Sequence, residues 1–103
     1  MKFGLSEKTI ISINSVFKKY NSIEKAILYG SRAKGNYKKG SDIDLTLFSQ
    51  DNSYTLLSKI MVDLDDLLLP YGIDLSFYAE ITNNQLKEHI NRVGIIFYHI
   101  DLV

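Results

Sequence analysis

Two short stretches, "DIDLTLF" at 42–48 and "IDLSFYA" at 73–79, alternate apolar and polar residues with a period of two. That period is the pleat of a β-strand, in which successive side chains point to opposite faces. It puts Ile43, Leu45 and Leu47 on one face and Asp42, Asp44 and Thr46 on the other. In the second stretch Ile73, Leu75 and Phe77 oppose Asp74, Ser76 and Tyr78. Both strands therefore open with aspartate on the face away from their apolar residues. A fold that buries the apolar faces together must display carboxylates on the other side.

The segments between them read as helices. Ile10, Ile13, Val16, Phe17 and Tyr20 recur at helical spacing, so a helix is predicted over 6–20 with Ser6 as its N-cap and Asn21 at its end. Leu56, Leu57, Ile60, Leu64 and Leu67 predict a second over 53–69, stopped by Pro70 and Gly72. Thr82 or Asn83 caps a third over 83–93, and Gly94 ends it. The apolar runs at 25–30 and 94–100 complete the set as strands. The order α-β-(turn or short α)-β-α-β-α-β predicts an α/β (α+β) fold: a small mixed sheet of about four strands with helices packed mainly on one side.

Length and charge narrow the classes. A chain of 103 residues fits one domain spanning 1–103, with a small core drawn from the 46% of residues that are hydrophobic. Lys plus Arg equals Asp plus Glu, 12 each, which argues against a general nucleic-acid coat or a binder of anionic membranes. There is no cysteine, so disulfides, thiolate zinc sites and cysteine nucleophiles are excluded, as fits a cytoplasmic protein. "MKFGLSEKTI" lacks the apolar run of a signal peptide, and Leu67-Leu68-Leu69 is too short to span a bilayer.

The chemistry concentrates in "YGSRAKGNYKKGSDIDLTLF", 29–48. Asp42 and Asp44 share a strand face, and adjacent carboxylates repel unless something compensates them. A hard cation such as Mg²⁺ does so through carboxylate oxygens. A lone D-x-D is also what a solvated strand face carries. Gly30 closes the first strand and Ser31 opens a turn or short helix, where backbone N–H groups and a hydroxyl can meet an anion. Gly-Ser alone is equally an ordinary loop, and no Gly-Lys-Ser/Thr follows to make a Walker A loop. Together, a phosphate-binding turn beside a carboxylate pair is what a nucleoside triphosphate and its metal require. Arg32, Lys34, Lys38 and Lys39 add positive potential or are simply solvated.

Gly30-Ser31, ten intervening residues and then Asp42-Ile43-Asp44 resembles the signature of the DNA polymerase β-like nucleotidyltransferase superfamily. On a chain this short, "GSRAKGNYKKGSDIDL" is similar to the minimal nucleotidyltransferase (MNT) family. The resemblance implies a nucleotidyltransferase fold and a third carboxylate on a neighbouring strand, a position that Asp74 matches. It implies Asp42, Asp44 and Asp74 as catalytic residues and as ligands of two Mg²⁺ ions. Asp74 would complete the second metal site and help activate the acceptor hydroxyl, as general base or metal ligand. Gly30 and Ser31 would hold the β- and γ-phosphates, with Arg32 and Lys34 as further nucleotide-binding candidates. ATP would be the substrate, and AMP would pass to an acceptor hydroxyl.

In the family that this chain resembles, the MNT protein is an antitoxin paired with a HEPN-domain toxin, a ribonuclease. The resemblance implies transfer of AMP to a tyrosine of that toxin within a hetero-oligomer. Two alternatives stand beside it: an antitoxin that neutralises its HEPN partner by binding alone, and a nucleotidyltransferase acting on a small molecule or RNA. Zero net charge and the lack of an added domain weigh against a long nucleic acid as substrate. His89 and His99 are read as structural or surface residues. Asp63, Asp65 and Asp66 are read as solvated, because they lie on a helix whose other face is leucine-rich.

Overall fold

The computed structural model describes residues 1–100. The predicted final stretch of the domain, 101–103, lies outside the described residues. Three helices begin where a side-chain oxygen can satisfy a free backbone N–H. Ser6 caps α1 (Glu7–Phe17) by accepting from the Thr9 N–H, and Ser53 caps α3 (Tyr54–Asp65) by accepting from that of Leu56. Asn83 caps α4 (Asn84–Val93) through Gln85 and Leu86. The predicted first two helices run past the observed ends, at Phe17 and Asp65. Beyond Asp65, Leu68 turns the chain with a φ of 55°.

The strands are β1 (Ile23–Tyr29), β2 (Ile43–Ser49), β3 (Ile73–Phe77) and β4 (Ile95–His99). They form one mixed sheet in the order β3-β2-β1-β4. β1 pairs antiparallel with both β2 and β4, while β2 and β3 run parallel. A parallel pair needs a crossover, and α3 supplies it. A register shift in the β1–β4 pair leaves Phe97 between two pairs, and Asn14 of α1 donates to its carbonyl at 3.1 Å.

The main core lies between one sheet face and the helices α1 and α3. Ile13, Val16, Phe17, Leu56, Ile60 and Leu64 meet Ala26, Leu28, Ile43, Leu45, Leu47 and Phe77 there. Burial of such side chains, about 1.5–3 kcal/mol each, offsets the entropy of ordering the chain. The opposite face is covered only in part: α4 lays Ile90, with Leu86 and Val93, against Ile27 and Tyr29. Two long helices thus share one side, as expected, and the third closes half of the other. The uncovered half carries Asp44 and Asp74. Among the described residues, no helix is long and apolar enough to cross a membrane.

Candidate active site

The parallel register sets Asp44 of β2 opposite Asp74 of β3. The next rung on that face is Thr46 opposite Ser76, whose hydroxyls lie 3.0 Å apart. Tyr29 of β1 pairs with Asp44 from the other side. The polar face of the alternating strands thus becomes a row of aspartate, aspartate and tyrosine across three neighbouring strands. Asp42, one residue before β2, and Asp74 are exposed, whereas Asp44 is half-buried and Tyr29 is buried.

Two glycines make room for the D-x-D pair. Gly30 opens a short helix, α2 (Gly30–Lys34), with a φ of 75°. A β-carbon on it would lie 2.2 Å from Asp44 Oδ2. A β-carbon on Gly72 would lie 2.6 Å from Asp42 Oδ1. Each carboxylate therefore occupies a notch that only a residue without a side chain leaves open. Gly72, read in the sequence only as a helix stop, also ties the strand starts together, since its carbonyl accepts from the Ile43 N–H at 2.8 Å.

The charges are coupled. Burial raises the Asp44 carboxyl above its ordinary 3.8, and the negative charges of Asp74 and then Asp42 raise it further. Burial also raises the Tyr29 phenol, followed by the charges of Asp74 and Asp44, against a hydrogen bond with Ser76. Among the described residues no three His, Cys, Asp or Glu side chains are gathered into a ready ligand set for a metal. The donor chemistry nevertheless suits a hard divalent cation: Asp42, Asp44 and Asp74 offer carboxylate oxygens and no soft donor, and the charges of Asp74 and Asp42 bear on Asp44.

The cations of 32–39 part company. Arg32 is 2% exposed. Its Nε and Nη2 donate to the Ser41 carbonyl at 3.1 and 2.8 Å, and its Nη1 donates to the Phe3 carbonyl at 2.7 Å. The guanidinium lies against the Tyr37 and Tyr71 rings, 5.3 and 4.9 Å from their centroids. It braces the N-terminal turn and the residue before Asp42. Lys34, by contrast, is exposed at the end of α2, as are Lys38 and Lys39. Ser31, half-buried, follows Gly30 on α2.

His89, read in the sequence as a structural or surface residue, packs beside the site. It sits on α4 and its Nε2 accepts from the Gly30 N–H at 3.3 Å. Its ring meets Tyr29 edge-on, with centroids 6.2 Å apart and planes at 82°. A separation of 59 residues hides this contact from any local pattern. Only its place on the apolar stripe of the last helix, one residue before Ile90, hinted that it faces inward. Asp63 departs from the solvated reading too: it is half-buried, accepts from the Tyr20 hydroxyl and lies 3.9 Å from Lys19 Nζ.

A four-stranded mixed sheet with helices packed mainly on one side is the architecture of a nucleotidyltransferase domain. Residues 12–102 match the family model described as "Polymerase beta, Nucleotidyltransferase", and the chain belongs to that family. Solved structures agree in fold. One is a chain of a toxin–antitoxin crystal structure with AMP-PNP, at 19% identity and a TM-score of 0.71, covering 94% of this chain and 76% of that one. A second is a chain from the complex of a tri-AMPylated Shewanella oneidensis HEPN toxin with MNT antitoxin: 15% identity, TM-score 0.61, 89% and 73% covered. A third, a chain of a Sulfolobus solfataricus protein, gives 17%, 0.54, and 96% and 89%. No curated protein matches the chain in sequence.

Proposed function

We propose that this chain is a Mg²⁺-dependent protein adenylyltransferase that passes AMP from ATP to a tyrosine hydroxyl of a HEPN-domain toxin, and so acts as its antitoxin in a cytoplasmic hetero-oligomer. The observation that carries the reading is the register pairing of Asp44 with Asp74, with Asp42 one alternation away. The resemblance in fold to chains of toxin–antitoxin complexes, one crystallised with AMP-PNP and one with a tri-AMPylated toxin, supports the choice of nucleotide and partner.

Asp42, Asp44 and Asp74 would hold the metal, which when bound supplies charge neutralisation at the triphosphate and at the attacking and leaving oxygens. Gly30, by having no side chain, leaves Asp44 its place beside the triphosphate, and the Ser31 hydroxyl donates to a phosphate oxygen. Exposed Lys34 adds positive potential there. Asp74, at the open edge of the sheet, takes the proton of the acceptor hydroxyl. The acceptor oxygen bonds to the α-phosphorus while the bond from that phosphorus to the bridging oxygen breaks, and pyrophosphate leaves with that electron pair. Arg32 acts by holding Ser41 and so the approach to Asp42.

Incubation with ATP, Mg²⁺ and a HEPN-domain protein from the same genome, read by intact mass, tests the proposal. One or more AMP units on the partner, lost in Asp42→Ala and Asp44→Ala, are the expected result. A tight complex with no added mass would instead make the chain an antitoxin that works by binding. In parallel incubations with α-labelled ATP, label on RNA or a small molecule alone would replace the acceptor.

A further inference from the structure

We infer that His89 is a positioning residue for Asp44, acting through the Tyr29–Gly30 peptide. The inference rests on the adenylyltransferase reading for its kinetic consequence and on geometry for the rest. Asp44 Oδ2 occupies the space where a β-carbon of residue 30 would be, so the place of Gly30 decides where that carboxylate can stand. Gly30 begins a helix of five residues that is too short to hold itself rigid. Its N–H is held from outside, by His89 Nε2 at 3.3 Å. The same imidazole packs edge-on against Tyr29, the register partner of Asp44.

His89 thus touches both residues that flank the carboxylate. It is fixed in turn by α4, whose neighbouring Ile90 is buried against Ile27 and Tyr29. An imidazole whose Nε2 accepts a hydrogen bond and which is neutral carries its proton on Nδ1. The arrangement therefore specifies a tautomer as well as a place. A phenylalanine would keep the ring packing and lose the acceptor. A glutamine places a carbonyl oxygen near the position of Nε2 and restores it.

The test uses the full chain in three forms: wild type, His89→Phe and His89→Gln. Long-range ¹H–¹⁵N correlation of the wild type is expected to show His89 with its proton on Nδ1. The Gly30 amide resonance should move in His89→Phe and return towards its wild-type position in His89→Gln. With ATP, Mg²⁺ and the partner, His89→Phe should lose about 10- to 100-fold in kcat, the scale of a misplaced reacting group, with KM for ATP changed less than threefold. His89→Gln should recover most of that loss. An Nε2–H tautomer, a Gly30 amide indifferent to the substitution, or a His89→Phe variant with full kcat would overturn the inference. Should the wild type transfer no AMP to any acceptor, the proposed function fails by itself, while the tautomer and the Gly30 shift still decide whether His89 holds the peptide.

Discussion

Gly30 and Asp44 are so close that a single β-carbon on residue 30 would stand 2.2 Å from Asp44 Oδ2. Replacement of Gly30 by alanine therefore does two things. The φ of 75° strains an L-residue by about 1–3 kcal/mol, and the carboxylate must leave its notch. Gly30→Ala is expected to lower thermal stability by that amount and to remove AMP transfer. A calorimetric scan and the intact-mass assay check both; a fully active Gly30→Ala would show that Asp44 works from elsewhere.

Asp44 should be worth more to function than to stability. Its carboxyl is raised above 3.8 by burial and by Asp74 and Asp42, so the folded state binds that proton more tightly than the unfolded one. Its unfavourable contribution is absent below the unfolded value and grows as pH rises through the raised folded value. Asp44→Asn is expected to be inactive yet more stable than wild type at neutral pH, with the difference shrinking as the solution is acidified. Denaturant midpoints measured across the acid range test the sign.

Arg32 and Lys34 should separate cleanly. Arg32 is buried on two backbone carbonyls between two tyrosine rings, so Arg32→Met leaves those acceptors without their charged donor. A loss of about 2–4 kcal/mol in unfolding free energy is expected. Arg32→Lys should also lose stability, since a single ammonium cannot reproduce the fork. Lys34→Ala should stay within about 0.5 kcal/mol of wild type and show its effect in KM for ATP.

Tyr20 supplies an alkaline signature away from the site. Its hydrogen bond to Asp63, with burial and the charge of that carboxylate, raises the phenol from 10.0 to about 12. The folded state holds the phenolic proton more tightly, so this stabilisation is complete below pH 10 and is lost as pH rises to about 12. Tyr20→Phe is expected to cost about 1 kcal/mol near neutrality. Its deficit relative to wild type should close over that alkaline window in thermal melts.

Much of this protein was written locally. Ser6 caps the first helix where the sequence placed its cap, and of Thr82 and Asn83 it is Asn83 that caps the last, because capping is a contact over two or three residues. The alternation of 42–48 and 73–79 put Asp42, Asp44 and Asp74 on the faces away from their apolar neighbours, because the pleat has a fixed period. Tertiary packing decided the rest. Arg32 is indistinguishable in sequence from the exposed lysines that follow it until the turn at Phe3 folds back over it. Gly72 shows itself as the seat of Asp42 only once β2 and β3 pair. His89 joins the site because α4 crosses to the half-open face of the sheet and brings an imidazole to an amide 59 residues away. Local periodicity is carried by neighbours along the chain, whereas these three contacts arise from the register and crossing of elements, which a sequence read position by position does not contain.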